Sequence, residues 1–265
     1  MNPGAVEITW PQLALAASLL LAHGLASLWL GLELGRRVAV AALRTTVQLG
    51  LLGLVLVPVF SSNNPLLVAG IAALMLIMAG REVMGRSQRR YRGMLLTSLG
   101  AVAVGAACSM AVAMIVVLRV DPWWSPRYLV PLLGMVLGNA LTGISLGLDR
   151  TLGLLDEGRD QVELRLSRGA TWWEAARPVA REAARTGMVP ILNSMSVAGL
   201  VSIPGMMTGQ ILGGTAPGLA SRYQILVMFL IAGAVAIGTT AGVLGTLRLL
   251  FDGQHRLRVE RITRG

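Results

Sequence analysis

Long apolar runs, separated by short polar segments, dominate the hydrophobic pattern of this chain. About 20 apolar residues are needed to cross a bilayer as a helix, and seven predicted spans cover residues 10–34, 38–60, 66–79, 94–118, 128–148, 187–203 and 223–250. The third run is short, and no loop is long enough for a separate globular domain. The pattern predicts an all-α integral membrane protein, a bundle of about seven transmembrane helices forming one domain over residues 1–265.

Composition supports a multi-pass protein embedded in lipid. Hydrophobic residues make up 54% of the chain and charged residues 14%, whereas soluble domains carry about 25% charged residues. The net charge of +10 could indicate nucleic acid as a partner. The arginines, however, lie beside the apolar spans, where they act as orientation signals. The predicted partner is the lipid bilayer, not nucleic acid.

The arginines are distributed unevenly between the two sides of the predicted bundle. Nineteen of the 23 fall in segments that follow the first, third, fifth and seventh spans. Three lie on the other side, at Arg119, Arg127 and Arg222, and Arg44 lies inside a span. Because cytoplasmic loops are enriched in Arg and Lys, we expect the N-terminus outside and the C-terminus in the cytoplasm.

Several kinds of chemistry are excluded by missing residue types. The chain has no Lys, which a Walker A loop requires, so ATP hydrolysis by that route needs another polypeptide. Cys108 is the single cysteine, and His23 and His255 lie at opposite ends of the chain. No His/Cys cluster has metal-ligand spacing, and no nucleophile–base pair can be assembled. We therefore expect no enzyme activity and no directly bound cofactor, and any metal ligands stay unknown.

The longest polar segment, residues 149–186, is predicted to be cytoplasmic. Apolar residues at helical spacing continue past the fifth span, which predicts that its helix extends into this segment. Gly169 can end that helix in a left-handed conformation. Thr171 and Glu174 have the spacing of a capping box that starts a second helix, which Pro178 is expected to break or kink. This arrangement exposes Trp172 and Trp173 near the turn. The segment either docks on a partner or lies along the lipid surface.

Polar residues inside the spans suggest a lined pathway. Arg44 and Gln48 share a helix face, with Glu33 as the nearest acidic residue; alternatively Arg44 extends to the interface. Two further spans carry polar residues at spacing three, namely Asn139, Thr142 and Ser145 on one and Asn193 and Ser196 on the other. These residues either line a translocation pathway or form hydrogen bonds between close-packed helices.

Proline and glycine interrupt the chain after the sixth span. Residues 204–218 are predicted to form a bent or re-entrant outer loop, because such backbone is tolerated at membrane depth where it lines a cavity. An outer gate would then include Pro204, Gly205, Met206, Met207 and Gln210. The two thioethers suit soft metal ions, although methionine is also a common apolar filler.

Three motifs lie in order along the chain. They are Arg44-Thr45-Thr46-Val47-Gln48-Leu49-Gly50, Gly138-Asn139-Ala140-Leu141-Thr142-Gly143-Ile144-Ser145-Leu146, and Pro204-Gly205-Met206-Met207-Thr208-Gly209-Gln210-Ile211-Leu212-Gly213-Gly214. Together they resemble the FetB/YbbM family (UPF0014) over essentially the whole chain. Glu163, followed by Gly169, Ala170, Thr171 and Trp172, resembles the coupling loop of bacterial ABC importer permeases, with Leu164 and Arg165 in place of two alanines.

The resemblance implies a permease subunit in the bacterial cytoplasmic (inner) membrane. It implies a homodimer paired with two copies of a separate ATPase, which binds ATP and Mg²⁺. ATPase coupling would then fall to Glu163, Arg168, Gly169, Ala170, Thr171, Trp172 and Trp173. Bacterial relatives are associated with iron export and plant relatives with aluminium tolerance, so metal export is the expected activity.

Two alternatives stay open at the sequence level. A stand-alone channel or secondary carrier would need no ATPase, but such carriers typically place acidic residues within spans, and here the span centres hold no Asp or Glu. A membrane scaffold or regulatory subunit would use the polar faces for packing alone.

Overall fold

The computed structural model describes residues 8–32, 34–62 and 64–264, and helices dominate it. A π-helical segment, Val112–Val117, continues α4, and a 3-10 turn, Val259–Arg261, precedes the last strand. The helices are α1 Trp10–Trp29, α2 Gly35–Ser62, α3 Pro65–Arg86, α4 Met94–Ala111, α5 Pro126–Glu157, α6 Arg159–Ser167, α7 Trp172–Val197, α8 Gly205–Leu212 and α9 Pro217–Leu250. The strands are β1 Arg89–Tyr91 and β2 Ile262–Arg264.

Six helices in the described part of the chain are long and apolar enough to cross a membrane. They are α1, α2, α3, α4 with its π-helical continuation, α5 and α9. The predicted all-α integral membrane fold is therefore confirmed. The sides on which the two termini lie stay a prediction.

The predicted sixth span, residues 187–203, has different bounds in the structure. Its first part is the end of α7, which stops at Val197 and is followed by non-helical backbone. The part of α7 before Gly187 carries Arg177, Arg181 and Arg185, so α7 is not among the six long apolar helices.

Other element boundaries differ from the sequence prediction by a few residues. The third span is longer than residues 66–79, since α3 has 22 residues, and the Asn64 side chain caps it by accepting from the Leu66 N–H at 2.9 Å. The α5 helix continues past the apolar run to Glu157, as the helical spacing predicted. Pro178 does not break α7, which runs through it.

Residue contacts divide the chain into two compact units. The first comprises Met1–Asn63 and Gly209–Thr215. Within it α1 and α2 pack against each other, and the buried Ser27 hydroxyl accepts from the Leu34 N–H at 3.0 Å. Glu33, the acidic residue named as a neighbour of Arg44, lies outside the described residues.

The second unit comprises Asn64–Thr208 and Ala216–Gly265 and contains the larger core. Here α3, α4, α5, α7 and α9 pack together. One close approach involves Gly143 of α5, Gly187 of α7 and Thr239 of α9. A Cβ at Gly187 would lie 2.6 Å from the Gly143 carbonyl oxygen. Only glycine at these positions lets the helix backbones come this close.

The arginine-rich segments of the second unit gather at one end of it. β1, in the α3–α4 connection, pairs antiparallel with β2 at the C-terminus, with Arg90 opposite Thr263. Arg89 binds the Asp156 and Glu157 carboxylates at the end of α5, each at 2.8 Å. These carboxylates raise the pKa of Arg89, chiefly through the hydrogen bond to Asp156. Segments far apart in sequence therefore form one charged surface.

Candidate coupling surface and polar groove

A tight turn at Gly169 joins α6 to α7. Gly169 has a φ of 89°, in the left-handed region that glycine adopts without a Cβ penalty. The Gly169 N–H donates to the Leu166 carbonyl at 2.9 Å and the Ala170 N–H to the Arg165 carbonyl at 3.2 Å. The predicted helix stop at Gly169 is confirmed, and the turn has a fixed backbone geometry.

The start of α7 is held by the predicted capping box. The Glu174 carboxylate accepts from the Thr171 N–H and hydroxyl, both at 2.8 Å, and the Thr171 hydroxyl accepts from the Glu174 N–H at 3.3 Å. The hydrogen bond from the Thr171 backbone N–H, followed by that from its hydroxyl, lowers the pKa of Glu174. Such reciprocal capping fixes the direction in which α7 leaves the turn.

The C-terminal segment packs against this turn, a contact the sequence reasoning missed. The Trp172 ring lies 6.0 Å from the Phe251 ring, centroid to centroid, and the Trp172 N–H donates to His255 Nδ1 at 3.3 Å. Asp252 accepts from the Arg256 N–H at 2.8 Å, and this hydrogen bond is the main reason why its pKa is lowered. One sequence signal could have found the segment, namely the alternating polar and apolar residues from Arg256 to Glu260.

The surface around the turn is partly apolar and open to solvent. Leu164 is 51% exposed and Trp173 is 39% exposed, and Arg168 and Gly169 are exposed beside them. Trp172 was predicted to be exposed as well, but its contacts with Phe251 and His255 leave it half-buried. Glu163 is paired with Arg159 at 2.6 Å. We call the four residues Leu164, Arg168, Gly169 and Trp173 the coupling surface.

A cavity of about 450 Å³ lies beside the coupling surface. One wall comes from α6 and the turn, and the other from the C-terminal segment. Its lining residues are Glu163, Leu166, Ser167, Ala170, Gln254, His255, Arg256, Leu257, Arg258 and Glu260. The cavity therefore depends on both segments being in place.

An ion pair joins α5 and α7. Arg150 of α5 donates to Glu182 of α7 at 3.5 Å. The two helices run antiparallel, since Gly143 lies against Gly187 and Gly147 lies against Ala183. The side of each helix that carries the ion pair therefore faces the other helix.

Two of the predicted pathway residues lie on this same side. Asn139 precedes Arg150 by eleven residues and Asn193 follows Glu182 by eleven, which is about three helical turns in each case. Because the helices are antiparallel, Asn139 and Asn193 lie at about the same height. Both side chains are exposed. We call the surface along α5 and α7 that carries Arg150, Glu182 and this asparagine pair the polar groove.

The remaining predicted pathway residues of α5 and α7 do not share one face. Thr142 lies on the α3 side of α5, where its hydroxyl accepts from Arg86 Nη1 at 3.3 Å. Ser145, predicted to share a face with Asn139, is buried instead, because spacing three drifts around a helix. Ser196 is exposed and donates to the Leu192 carbonyl at 2.9 Å.

The other predicted positions lie on other elements of the chain. Arg44 and Gln48 are both exposed, one turn apart on α2 in the first unit. The predicted outer-loop region contains α8, with non-helical backbone at Pro204 before it and α9 beginning at Pro217. Within it, Gly205 is exposed, Met207 and Gln210 are half-buried, and Met206 packs against the core of the second unit.

Metal-ligating side chains do not cluster in the described part of the chain. Among residues 8–32, 34–62 and 64–264, no group of three or more His, Cys, Asp or Glu residues is placed to hold a metal ion. Nothing in these ranges therefore supports a resident metal site of that kind.

Comparison with known proteins assigns the family. The family model described as "Uncharacterised protein family (UPF0014)" matches residues 10–251. The chain belongs to the UPF0014 family. This membership fits the six membrane-spanning helices, and the chain is a multi-pass membrane protein. No solved structure matches it.

Relatives of this UPF0014 chain come from bacteria and plants. A UPF0014 membrane protein of Synechocystis is 36% identical over 98% of this chain and 100% of its own length. The probable iron export permease protein FetB of Escherichia coli is 29% identical over 97% of both chains. The protein ALUMINUM SENSITIVE 3 of Arabidopsis thaliana is 31% identical over 74% of this chain and 70% of its own length.

Proposed function

We propose that this chain is the membrane-spanning permease subunit of an ABC transporter in a bacterial cytoplasmic membrane. Two copies pair with two copies of a separate ATPase, which binds ATP and Mg²⁺ and docks on the coupling surface. The observation that carries the proposal is that the Gly169 turn, with Trp173 exposed, leads directly into α7, the helix that forms one side of the polar groove.

The coupling follows from the connection between these two sites. A displacement of the turn is transmitted to α7, because the capping box fixes the start of that helix and the C-terminal segment packs against Trp172. Movement of α7 changes the polar groove, since Glu182 and Asn193 lie on the same helix as the turn. The ATPase needs only to favour one of two arrangements of the helices.

Pairing of two copies is supported by the exposed polar side chains of α5 and α7. Arg150 and Glu182 are exposed to nearly half of their side-chain area, and Asn139 and Asn193 are exposed as well. A second copy facing the polar groove would enclose these groups. Metal export is the proposed activity, favoured by the name of the Escherichia coli relative, and the arginine-rich end is the cytoplasmic one.

Co-purification with a candidate ABC ATPase tests the proposal. Gly169→Arg and Trp173→Ala should abolish or strongly reduce association, while Trp123→Ala, which removes an exposed tryptophan of the α4–α5 loop, should not. Transport assays in proteoliposomes form the second arm. Unchanged association in both coupling-surface variants, or full flux without ATP, would overturn the proposal, and the latter result would support a stand-alone carrier.

A further inference from the structure

A row of three arginines follows the outer face of α7. Arg177, Arg181 and Arg185 are spaced four apart, and all three are exposed. They line a cavity of about 550 Å³ together with Pro178 and Glu182. The opposite face of α7 packs into the core through Ala176, Ala180 and Ala183. One face of α7 therefore packs into the second unit, and the face that carries the arginine row stays exposed.

The row carries positive charge that nothing in the described chain balances. No hydrogen bond or ion pair joins the side chain of Arg177, Arg181 or Arg185 to another described residue. Glu182, the single acidic group of the cavity lining, is already paired with Arg150 at 3.5 Å. Three guanidinium groups about one turn apart on a single face repel one another, so the arrangement favours an anion that binds several of them.

The row also reaches the depth of the membrane-spanning helices. The Ala183 carbonyl oxygen lies 3.5 Å from a Cβ placed on Gly147, so Arg185 lies near the height of the apolar stretch of α5 that precedes Asp149. An arginine at such depth usually faces a water-filled cavity or a partner group. Arg177 lies about two turns closer to the coupling surface. The row therefore leads from the charged end of the second unit toward the polar groove.

We infer that the cargo of this transporter enters as a multiply charged oxyanion, a carboxylate or phosphate compound or the anionic chelate it forms with a metal. This inference rests on the proposed function, because it assigns the substrate class to the pathway beside α7. Guanidinium groups bind carboxylates and phosphates through paired hydrogen bonds. A free metal cation would be repelled by the same row and, within the described residues, finds no cluster of acidic, His or Cys ligands.

Binding to the purified full-length chain, without ATPase or ATP, tests this inference. The chain is placed in phosphatidylcholine nanodiscs and titrated with citrate, pyrophosphate, ferric citrate and Fe²⁺. The anions should bind, with an affinity that falls as salt rises, and Fe²⁺ should not. Arg181→Gln combined with Arg185→Gln should weaken anion binding by at least about tenfold, since two charge-assisted hydrogen bonds are lost. Arg92→Gln, an exposed arginine at the same end, should change nothing.

Two further measurements keep the result interpretable. Arg185→Lys keeps the charge but loses the paired geometry, so it should bind anions with intermediate affinity even if the double variant folds poorly. ATPase association, measured separately, should be unchanged in all three arginine variants. If wild-type chain binds anions but no ATPase, the proposed function fails and the anion site stands.

Other outcomes would overturn the inference. Binding of Fe²⁺ with no binding of anions would show that the cargo is a cation. If the double variant still binds anions with unchanged affinity, the anion site lies elsewhere on the chain. Loss of ATPase association with unchanged anion binding would assign the row to the ATPase. If phosphatidylglycerol nanodiscs abolish soluble-anion binding and the double variant loses bound phosphatidylglycerol, the row holds lipid headgroups and not cargo.

Discussion

Arg150 of α5 donates to Glu182 of α7 across 3.5 Å, and this pair marks which residues of the two helices lie at the same height. Counting eleven residues from each partner toward the opposite end of the helices reaches Asn139 and Asn193. Two amides on neighbouring antiparallel helices are thereby brought to one height. The four residues together give the groove a charged end and an amide-lined end.

The ion pair itself should add little to stability. Its side chains are 44% and 47% exposed, and exposed pairs contribute about 0–1 kcal/mol. Glu182→Gln should therefore shift the unfolding temperature by little while reducing transport, because it alters the charge of the groove. A double-mutant cycle with Arg150→Gln measures the pair directly, and a coupling energy well above about 1 kcal/mol would contradict this view.

The asparagine pair should affect transport more than folding. Asn193→Ala removes an exposed amide, so the unfolding temperature should hardly change, while transport in proteoliposomes should fall by about tenfold if the amide binds charged cargo. Ser194→Ala is the matched control, since that hydroxyl already donates to the Pro190 carbonyl at 3.0 Å. Equal transport by the two variants would argue that Asn193 serves packing alone.

The close approach of α5 and α7 should be intolerant of any side chain. Gly187→Ala places a Cβ 2.6 Å from the Gly143 carbonyl oxygen, and overpacking of this kind costs about 1–3 kcal/mol. The expected result is a lower unfolding temperature. Gly138→Ala, on α5 where a Cβ would meet nothing within 4 Å, should be neutral or stabilising. Equal unfolding temperatures for both variants would contradict the packing described.

The C-terminal segment should protect the backbone at the start of α7 from hydrogen exchange. His255→Ala removes the acceptor of the Trp172 N–H, so hydrogen exchange of the Trp172 amide should become faster. His23→Ala, on α1, should leave that exchange rate as it is. An unchanged Trp172 rate in His255→Ala would show that the contact with the Phe251 ring is sufficient by itself.

Acid should loosen the C-terminal segment through Asp252. The pKa of this carboxyl is lowered in the folded chain, first by the hydrogen bond from the Arg256 N–H, whereas an unfolded Asp titrates at about 3.9. The unfolded state then binds the proton more tightly, so the stabilisation is complete above the unfolded pKa and is lost as pH falls through the folded one. Limited proteolysis near residue 252 should accelerate only in that acidic range.

Asp252→Asn provides the control for this pH dependence. The variant should be cleaved faster at neutral pH and should lose the acid-induced step, because its side chain no longer titrates. Wild-type loosening that begins near pH 6–7 would point to another group.

Sequence alone determined the class of the protein and the local signals at its charged end. Apolar runs identify membrane helices because a bilayer requires about 20 such residues. The Gly169 turn and the Thr171–Glu174 cap were likewise predictable, since both depend on residues close together in the chain. Site assignments in the polar groove and outer loop stay predictions, because neither the fold nor the family tests them.

Tertiary structure alone decided which distant residues meet. Hydrophobicity could not show that residues 187–197 are the end of a partly charged helix, because that boundary depends on how α7 packs against α5 and α9. The pairing of Arg150 with Glu182, and of Trp172 with Phe251 and His255, joins segments about 30 to 80 residues apart. Such contacts depend on helix packing and register, which local patterns do not encode.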